Sequence, residues 1–236
     1  MIKFNSSQKI GEIVTRFPKA ADIFKEYKID FCCGGDSQLK TAIESQNLDE
    51  NEILDKINCL YDKFEKRADD INWTEAPISE LVDHIINKHH SYLWSELPKI
   101  GELTTVILRV HGAHHPEITK VHKLFNMLRM ELEAHLTKEE TVQYPAIKEF
   151  LKSNSHYDLD MALNVIKDLE DEHTGAGDIL KELRIVTDDY KIPEDTCETF
   201  ELTYKKLQEM ESDIFQHIHL ENNILFPRLR GMKNIE

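Results

Sequence analysis

The sequence predicts an all-α protein in which a small N-terminal helical domain precedes a four-helix bundle. Charged residues make up 31 % of the 236 residues, whereas glycine and proline are scarce, with 8 and 7 copies. Alternating β-branched stretches, which are typical of strands, are almost absent, and apolar residues instead recur at helical spacing. Helix is therefore expected throughout the chain.

The segment before residue 67 shows short helical patterns separated by turns. The predicted helices cover residues 10–27, with a break at Phe17-Pro18, then 39–43 and 49–64. Between the first two lies Asp30-Phe31-Cys32-Cys33-Gly34-Gly35-Asp36, where the paired glycines are expected to supply a turn. Asp36 or Ser37 can cap the next helix, so both cysteines are expected near a helix N-terminus.

A polar stretch marks the predicted domain boundary. It reads Arg-Ala-Asp-Asp-Ile-Asn-Trp-Thr-Glu-Ala over residues 67–76, and Pro77 suits the first turn of a following helix. We predict a small domain over 1–66, a linker over 67–76 and the bundle over 77–236. The bundle helices are expected at 78–97, 115–140, 159–188 and 196–225, with connections at 98–114, 141–157 and 189–195.

Composition excludes several classes of function. The 29 basic and 44 acidic residues give a net charge of −15, which argues against nucleic acid and anionic membranes as partners. No apolar run approaches the ~20 residues that span a bilayer, and the N-terminus lacks a signal-peptide core, so we expect a cytoplasmic protein. The adjacent Cys32 and Cys33 cannot form an unstrained disulfide, and Cys59 and Cys197 are expected to behave as small apolar side chains.

An internal repeat in the second half carries candidate metal ligands. Its copies are Glu131-x3-His135-x3-Glu139-x4-Tyr144-Pro145 and Asp213-x3-His217-x3-Glu221-x4-Phe226-Pro227. Residues four apart lie on one helix face, so each copy presents an acid, an imidazole and a carboxylate in one column. A single His-x3-Glu pair is weak support for a metal site, but its ordered duplication favours one.

Each copy is expected to have a further ligand on its preceding helix. His90 precedes His135 by 45 positions and His173 precedes His217 by 44, so the spacing favours His90, narrowly over His89. A single buried histidine is usually satisfied by an ordinary hydrogen bond, and His84 falls on the polar side of its helix.

Six residues thus make up the predicted metal site: His90, His135, Glu139, His173, His217 and Glu221. Two buried carboxylates without cationic partners would each cost several kcal/mol, and no column of Lys or Arg faces them. Imidazole and carboxylate ligands without thiolates suit iron, manganese or zinc, of which iron is favoured. We predict two non-haem irons joined by both glutamates and an oxo or hydroxo bridge.

Three acids are predicted to lie behind the ligands. Glu131 and Asp213 come one turn before His135 and His217, where they can orient an imidazole or polarise a metal-bound water, or simply remain solvated. Glu172 directly precedes His173 and can line an access route or lie in solvent.

These motifs resemble the hemerythrin-like cation-binding domain, and together with the Cys-Cys-Gly-Gly turn they resemble the repair-of-iron-centres (RIC, ScdA/YtfE) family. The resemblance covers nearly the whole chain and places the family's ligands on the same six residues. It implies a cytoplasmic, dimeric di-iron protein that restores iron-sulfur clusters damaged by nitric oxide or oxidants. Classical hemerythrins use five histidines, and here only His89 or His111 can supply a fifth.

Three functions remain open at this point. The chain can repair iron-sulfur proteins by donating iron, with Cys32 and Cys33 accepting nitrosyl groups or touching a client cluster, although these cysteines can also be purely structural. It can instead be a redox enzyme that reduces nitric oxide or peroxide. A third alternative is a non-catalytic sensor of oxygen or nitric oxide.

Overall fold

A computed structural model describes residues 4–64 and 71–233 and confirms the all-α prediction. The helices are α1 (Ile10–Arg16), α2 (Ala20–Glu26), α3 (Leu39–Gln46), α4 (Glu50–Phe64), α5 (Ile78–His84), α6 (Ser91–His111), α7 (Glu117–Lys138), α8 (Tyr144–Ser153), α9 (His156–Asn164), α10 (Ile166–Val186), α11 (Glu198–Leu220) and α12 (Phe226–Lys233). Three π-helical segments join consecutive helices: π1 (Ile85–His90), π2 (Glu139–Gln143) and π3 (Glu221–Leu225). Over the described ranges no helix is long and apolar enough to cross a membrane.

The chain divides into two compact units. One combines the residues up to Leu81 with those from Ile218 onward, and the other spans Val82–His217. The predicted limits of the N-terminal domain and the linker remain predictions, because residues 65–70 lie outside the described residues.

In the first unit, short helices are held by apolar contacts. α1 buries Ile10, Ile13 and Val14 and packs against π3, while α2 packs against α4. Helices of seven residues are marginal in isolation, so this burial supplies most of their stability.

In the second unit, α7 packs against both α6 and α10, and α8 packs against α9. The predicted connection at 98–114 is wrong over most of its length, because α6 continues through Pro98 to His111. Proline removes one backbone hydrogen bond from a helix. Here the burial of Leu93, Leu97 and Ile100 on one face keeps the helix continuous.

The predicted connection at 141–157 is also mostly helical. π2 leads directly into α8, which ends at Ser153 and is followed by Asn154 in the left-handed conformation. α8 has an apolar face at helical spacing, formed by Tyr144, Ile147 and Phe150. The sequence prediction overlooked this spacing because it assigned the residues to a loop.

The π-helical segments coincide with predicted metal ligands. His90 ends π1, Glu139 begins π2 and Glu221 begins π3. π-helical turns are rare and occur frequently at functional sites. Because π1 winds less tightly than an α-helix, the neighbouring His89 and His90 are both buried.

Candidate metal centre

Five of the six predicted ligands lie within the unit Val82–His217, where five helical segments supply one each. They are His90 from π1, His135 from α7, Glu139 from π2, His173 from α10 and His217 from α11. All five side chains are buried. The sixth, Glu221, is also buried and follows His217 by one turn as the chain passes from α11 into π3.

The imidazoles form two pairs whose inner nitrogens nearly touch. The Nε2 atoms of His135 and His173 lie 3.0 Å apart, and those of His90 and His217 lie 3.3 Å apart. We call these pairs the first side and the second side of the centre.

Glu139 faces both sides at once. Its Oε1 lies 3.1 Å from Nε2 of His135, whereas its Oε2 lies 3.2 Å from Nε2 of His90 and 3.7 Å from Nε2 of His217. On each side, one ligand atom from each histidine and from Glu139 lies within 4.8 Å of the others. One carboxylate is therefore placed to join two neighbouring cation positions.

The outer nitrogens of two of these rings contact acids. Nδ1 of His135 lies 2.8 Å from Glu172, and Nδ1 of His90 lies 2.9 Å from Glu140. An Nδ1–H that donates to a carboxylate leaves Nε2 with a lone pair directed inward, which is the usual arrangement of a metal-binding histidine.

This arrangement fits a bound cation. Inward lone pairs and a buried carboxylate repel one another unless a positive charge lies among them. Imidazole and carboxylate donors suit iron, manganese and zinc, and bundles commonly hold pairs of such ions between their helices.

Each outer acid reaches solvent and has a second partner. Glu172 is 38 % exposed and also accepts a hydrogen bond from Lys138. The hydrogen bond from His135 is the largest influence on the pKa of Glu172, and with that from Lys138 it lowers this pKa to about 2. Glu140 is 34 % exposed and accepts a 2.9 Å hydrogen bond from the indole of Trp94. The two acids thus connect the buried rings to the surface.

The three acids predicted behind the ligands have different surroundings. Glu172 orients a ring, but that ring belongs to His135 on α7 rather than to its neighbour in the sequence. Asp213 bonds His89 at 2.9 Å instead of His217. Glu131 is exposed, and one of its oxygens lies near Gly175.

Sequence reasoning missed two groups that contact His90. Glu140 holds its Nδ1, and the Tyr144 hydroxyl lies 3.4 Å from its Nε2. In an α-helix Glu140 would point about 100° away from Glu139. Tyr144 could have been singled out from the sequence, because its counterpart in the repeat, Phe226, lacks the hydroxyl that contacts His90.

The other histidines weighed as ligands lie in different surroundings. His89 is buried, and its ring stacks on that of His217 at 5.9 Å while Asp213 holds its Nδ1. His111 ends α6, about 30 Å along the helix from His90, and its Nε2 lies 3.2 Å from the sulfur of Cys197. It therefore does not belong to the centre.

The Cys-Cys-Gly-Gly turn lies in the other unit and is fixed from two directions. Oδ1 of Asp30 accepts hydrogen bonds from the backbone N–H groups of Cys32, Cys33 and Gly34 at 3.0–3.2 Å. The side-chain amide of Asn223 donates to the carbonyls of Phe31 and Cys32 at 3.3 and 3.1 Å. A Cβ at Gly35 would lie 2.2 Å from Oδ1 of Asn223 and 2.9 Å from the backbone carbonyl oxygen of Phe31, so this close approach favours glycine.

The prediction that both cysteines lie near a helix N-terminus is wrong. α3 begins only at Leu39, so neither cysteine lies in its first turn or next to it. Cys32 is buried 3.9 Å from the sulfur of Cys33 and beside Asp30. The contact with Cys33, followed by burial, raises the pKa of Cys32 well above its ordinary value, so this thiol stays protonated at neutral pH.

Comparison with known proteins agrees with this geometry. Residues 6–61 match the ScdA_N family, described as a domain of unknown function (DUF542), and residues 81–229 match the hemerythrin HHE cation binding domain. The chain is 31 % identical over 217 residues to the iron-sulfur cluster repair protein ScdA of Staphylococcus haemolyticus, covering 92 % of this chain and 95 % of that protein. It is 34 % identical over 222 residues to the iron-sulfur cluster repair protein YtfE of Escherichia coli O81, covering 94 % and 96 %. The chain therefore belongs to the ScdA/YtfE family of iron-sulfur cluster repair proteins, which carry a hemerythrin HHE domain.

Proposed function

We propose that the protein repairs damaged iron-sulfur clusters by supplying iron from a centre that holds two iron ions per chain. The observation that carries this proposal is Glu139, whose two oxygens each face a separate pair of imidazoles. The names of its relatives, iron-sulfur cluster repair proteins, give the process that such a centre would serve.

The proposed ligands are the six residues that the repeat selected: His90, His135, Glu139, His173, His217 and Glu221. Glu221 is included because it repeats the position of Glu139 one turn after a histidine and because its side chain is buried. The oxo bridge between the irons is part of the proposal and would give the loaded protein an absorption band that reduction bleaches.

Release of iron as cargo requires the ligands to accept protons. Metal binding displaces protons from imidazole and carboxylate groups, so departure of the metal must return them. Glu172 and Glu140 each accept the Nδ1–H of a buried ring, so they are placed to stabilise the positive charge of that ring once its Nε2 has taken a proton. The bound iron itself supplies only an exchangeable ion for the client.

The Cys-Cys-Gly-Gly turn is proposed to contact the client. Cys33 is partly exposed, and Asp30 and Asn223 hold the backbone around it in one conformation. A fixed, accessible thiol next to a buried one can touch an incoming cluster or accept a nitrosyl group. Replacing Cys33 with serine should then slow transfer to the client while leaving the iron content unchanged.

The cellular setting completes the proposal. The clients are iron-sulfur proteins damaged by nitrosative or oxidative stress in the cytoplasm, and the repair protein acts as a homodimer. Light scattering of the iron-loaded chain measures the oligomeric state directly, and a monomer at micromolar concentration would contradict the proposed homodimer.

The test begins with metal content per chain by elemental analysis, before and after incubation of the reduced protein with an apo iron-sulfur acceptor. Two irons that leave in proportion to cluster formation in the acceptor would support donation. Irons that remain bound while nitric oxide or peroxide is consumed would replace donation with redox catalysis. Reversible gas binding without iron loss or turnover would indicate a sensor, and zinc or no metal would overturn the di-iron centre.

A further inference from the structure

A second reactive arrangement lies where α6 ends and α11 begins. The exposed Cys197 directly precedes α11, and its sulfur lies 3.2 Å from Nε2 of His111 at the end of α6. Cys197 is the only cysteine in the sequence of the unit Val82–His217. The prediction that Cys197 behaves as a small apolar side chain is therefore wrong.

The imidazole of His111 is held in place by a buried aromatic ring. Phe200 packs against His111 edge-on, with ring centres 5.5 Å apart, and against His115 at 5.7 Å. His115 is itself fixed by Glu117 at 3.1 Å and Asp195 at 3.3 Å. A nucleophile within hydrogen-bond reach of an oriented base is the general form of an activated thiol.

Two further contacts favour the thiolate. The hydrogen bond with His111 is the main cause that lowers the pKa of Cys197 to about 7, and backbone N–H groups of Phe200 and Thr199 add to it. These groups belong to the first turn of a long helix, whose N-terminus attracts negative charge. The pKa of Cys32 is raised instead, because Cys32 is buried and its partner is a second thiol, whereas Cys197 is exposed and its partner is an imidazole.

We propose that Cys197 is a reactive thiol that forms mixed disulfides with small disulfides, with His111 as its base. Cys197 transfers its proton to Nε2 of His111, and the thiolate attacks one sulfur of the disulfide. The new bond joins Cys197 to that sulfur, the original S–S bond breaks, and the second sulfur leaves as a thiolate that takes the proton from His111. No external electrons are needed, because one disulfide is exchanged for another.

Acidic residues near Cys197 are expected to affect how fast charged disulfides react with it. Glu194, Asp195 and Glu198 are within three positions of Cys197, and all three are exposed or partly exposed. Anionic disulfides approach such a surface slowly, whereas neutral or cationic ones do not meet this repulsion. We therefore compare the rate of each reagent with its rate toward a small neutral thiol, which removes the effect of the leaving group. This ratio should be highest for the cationic cystamine, lowest for the anionic dithiobis(nitrobenzoate) and intermediate for a neutral dipyridyl disulfide.

This site is separate from the metal centre. His217 lies twenty residues beyond Cys197 on α11, which corresponds to about 30 Å of helix. Modification of Cys197 should therefore leave the iron content unchanged, so the two proposals can fail independently.

The test uses the full-length, iron-loaded protein treated with cystamine and followed by intact mass and peptide mapping. The adduct is expected to form fastest at Cys197, and alkylation of this thiol by iodoacetamide should reach half its maximal rate near pH 7. His111→Ala should raise that midpoint and slow the reaction at pH 7 about tenfold, because an ordinary thiol of pKa ~8.5 is only a few per cent ionised there.

His114→Ala is the matched control, because His114 is an exposed histidine in the same turn. His111→Gln gives a second variant that keeps a hydrogen-bonding side chain but cannot act as a base, should the alanine variant fold poorly. Equal reaction at the exposed Cys59 and at Cys197, or an unchanged alkylation midpoint in both His111 variants, would overturn the proposal.

Discussion

The two sides of the metal centre share an inner arrangement and differ in what lies behind it. On the first side, His135 is held by Glu172 from α10, which also pairs with Lys138. On the second side, His90 is held by Glu140, which accepts its other hydrogen bond from Trp94. The inner distances of 3.0 and 3.3 Å are similar, but the outer charges are not.

The difference indicates that the repeat extends to the proposed ligands but not to the acids behind them. In the repeat, Glu139 corresponds to Glu221, but Glu140 corresponds to Asn222, which carries no charge. Lys138 offsets the charge of Glu172, whereas the neutral indole of Trp94 leaves Glu140 as a full negative charge. This difference in outer charge, taken by itself, weakens the hold of the first side on its cation relative to the second.

The largest expected effect comes from removing the carboxylate common to both sides. Glu139→Ala should lose both metal ions, since the one carboxylate that faces both pairs of imidazoles is then missing. Without metal, the same variant should unfold at a temperature equal to or above that of the parent, because a buried carboxylate is destabilising when no cation offsets it. Elemental analysis and thermal unfolding with and without iron measure the two effects.

His84→Ala is the control, because His84 lies on α5 outside the centre. Similar iron contents in Glu139→Ala and His84→Ala would contradict the assignment of Glu139 as a ligand.

Smaller, one-sided effects are expected from the outer acids. Glu172→Ala should weaken the first side and Glu140→Ala the second, each by about 10–100-fold in affinity, as is usual for groups that orient metal-binding histidines. Titration with iron in the presence of a competing chelator should show one weakened site per variant. If either variant weakened both sides equally, the two sides would not be independent.

The fold was predictable from helical spacing and from the duplicated motif, but the limits of the helices were not. Pro98 and the polar residues around 141–143 led to predicted loops where packing keeps the helix intact. Local sequence preference is weak compared with the burial of a whole apolar face. α11 extends beyond His217 into the first compact unit, a division that helical spacing alone does not indicate.

The clustering of the proposed ligands was predictable because a repeat gives the same spacing twice. Their supports were not, since Glu172 and Glu140 are placed by contacts between helices and by the π-helical turn at Glu139. For the same reason the pairing of Cys197 with His111 was missed, as 86 positions separate these residues in the chain.

The smallest expected effect concerns Lys138, which distinguishes the two sides by charge alone. Lys138→Met should slow the loss of iron from the first side by up to about fivefold, because a partly exposed ion pair contributes about 0.2–1 kcal/mol. The rate at which a ferrous chelator takes iron from the dithionite-reduced protein measures this. Raising the salt concentration should shrink the difference, since exposed charges are screened. Trp94→Phe removes a neutral partner on the second side and should leave iron release from the first side unchanged. If Lys138→Met released iron faster than the parent protein, Lys138 would retain the iron through Glu172 instead of repelling it.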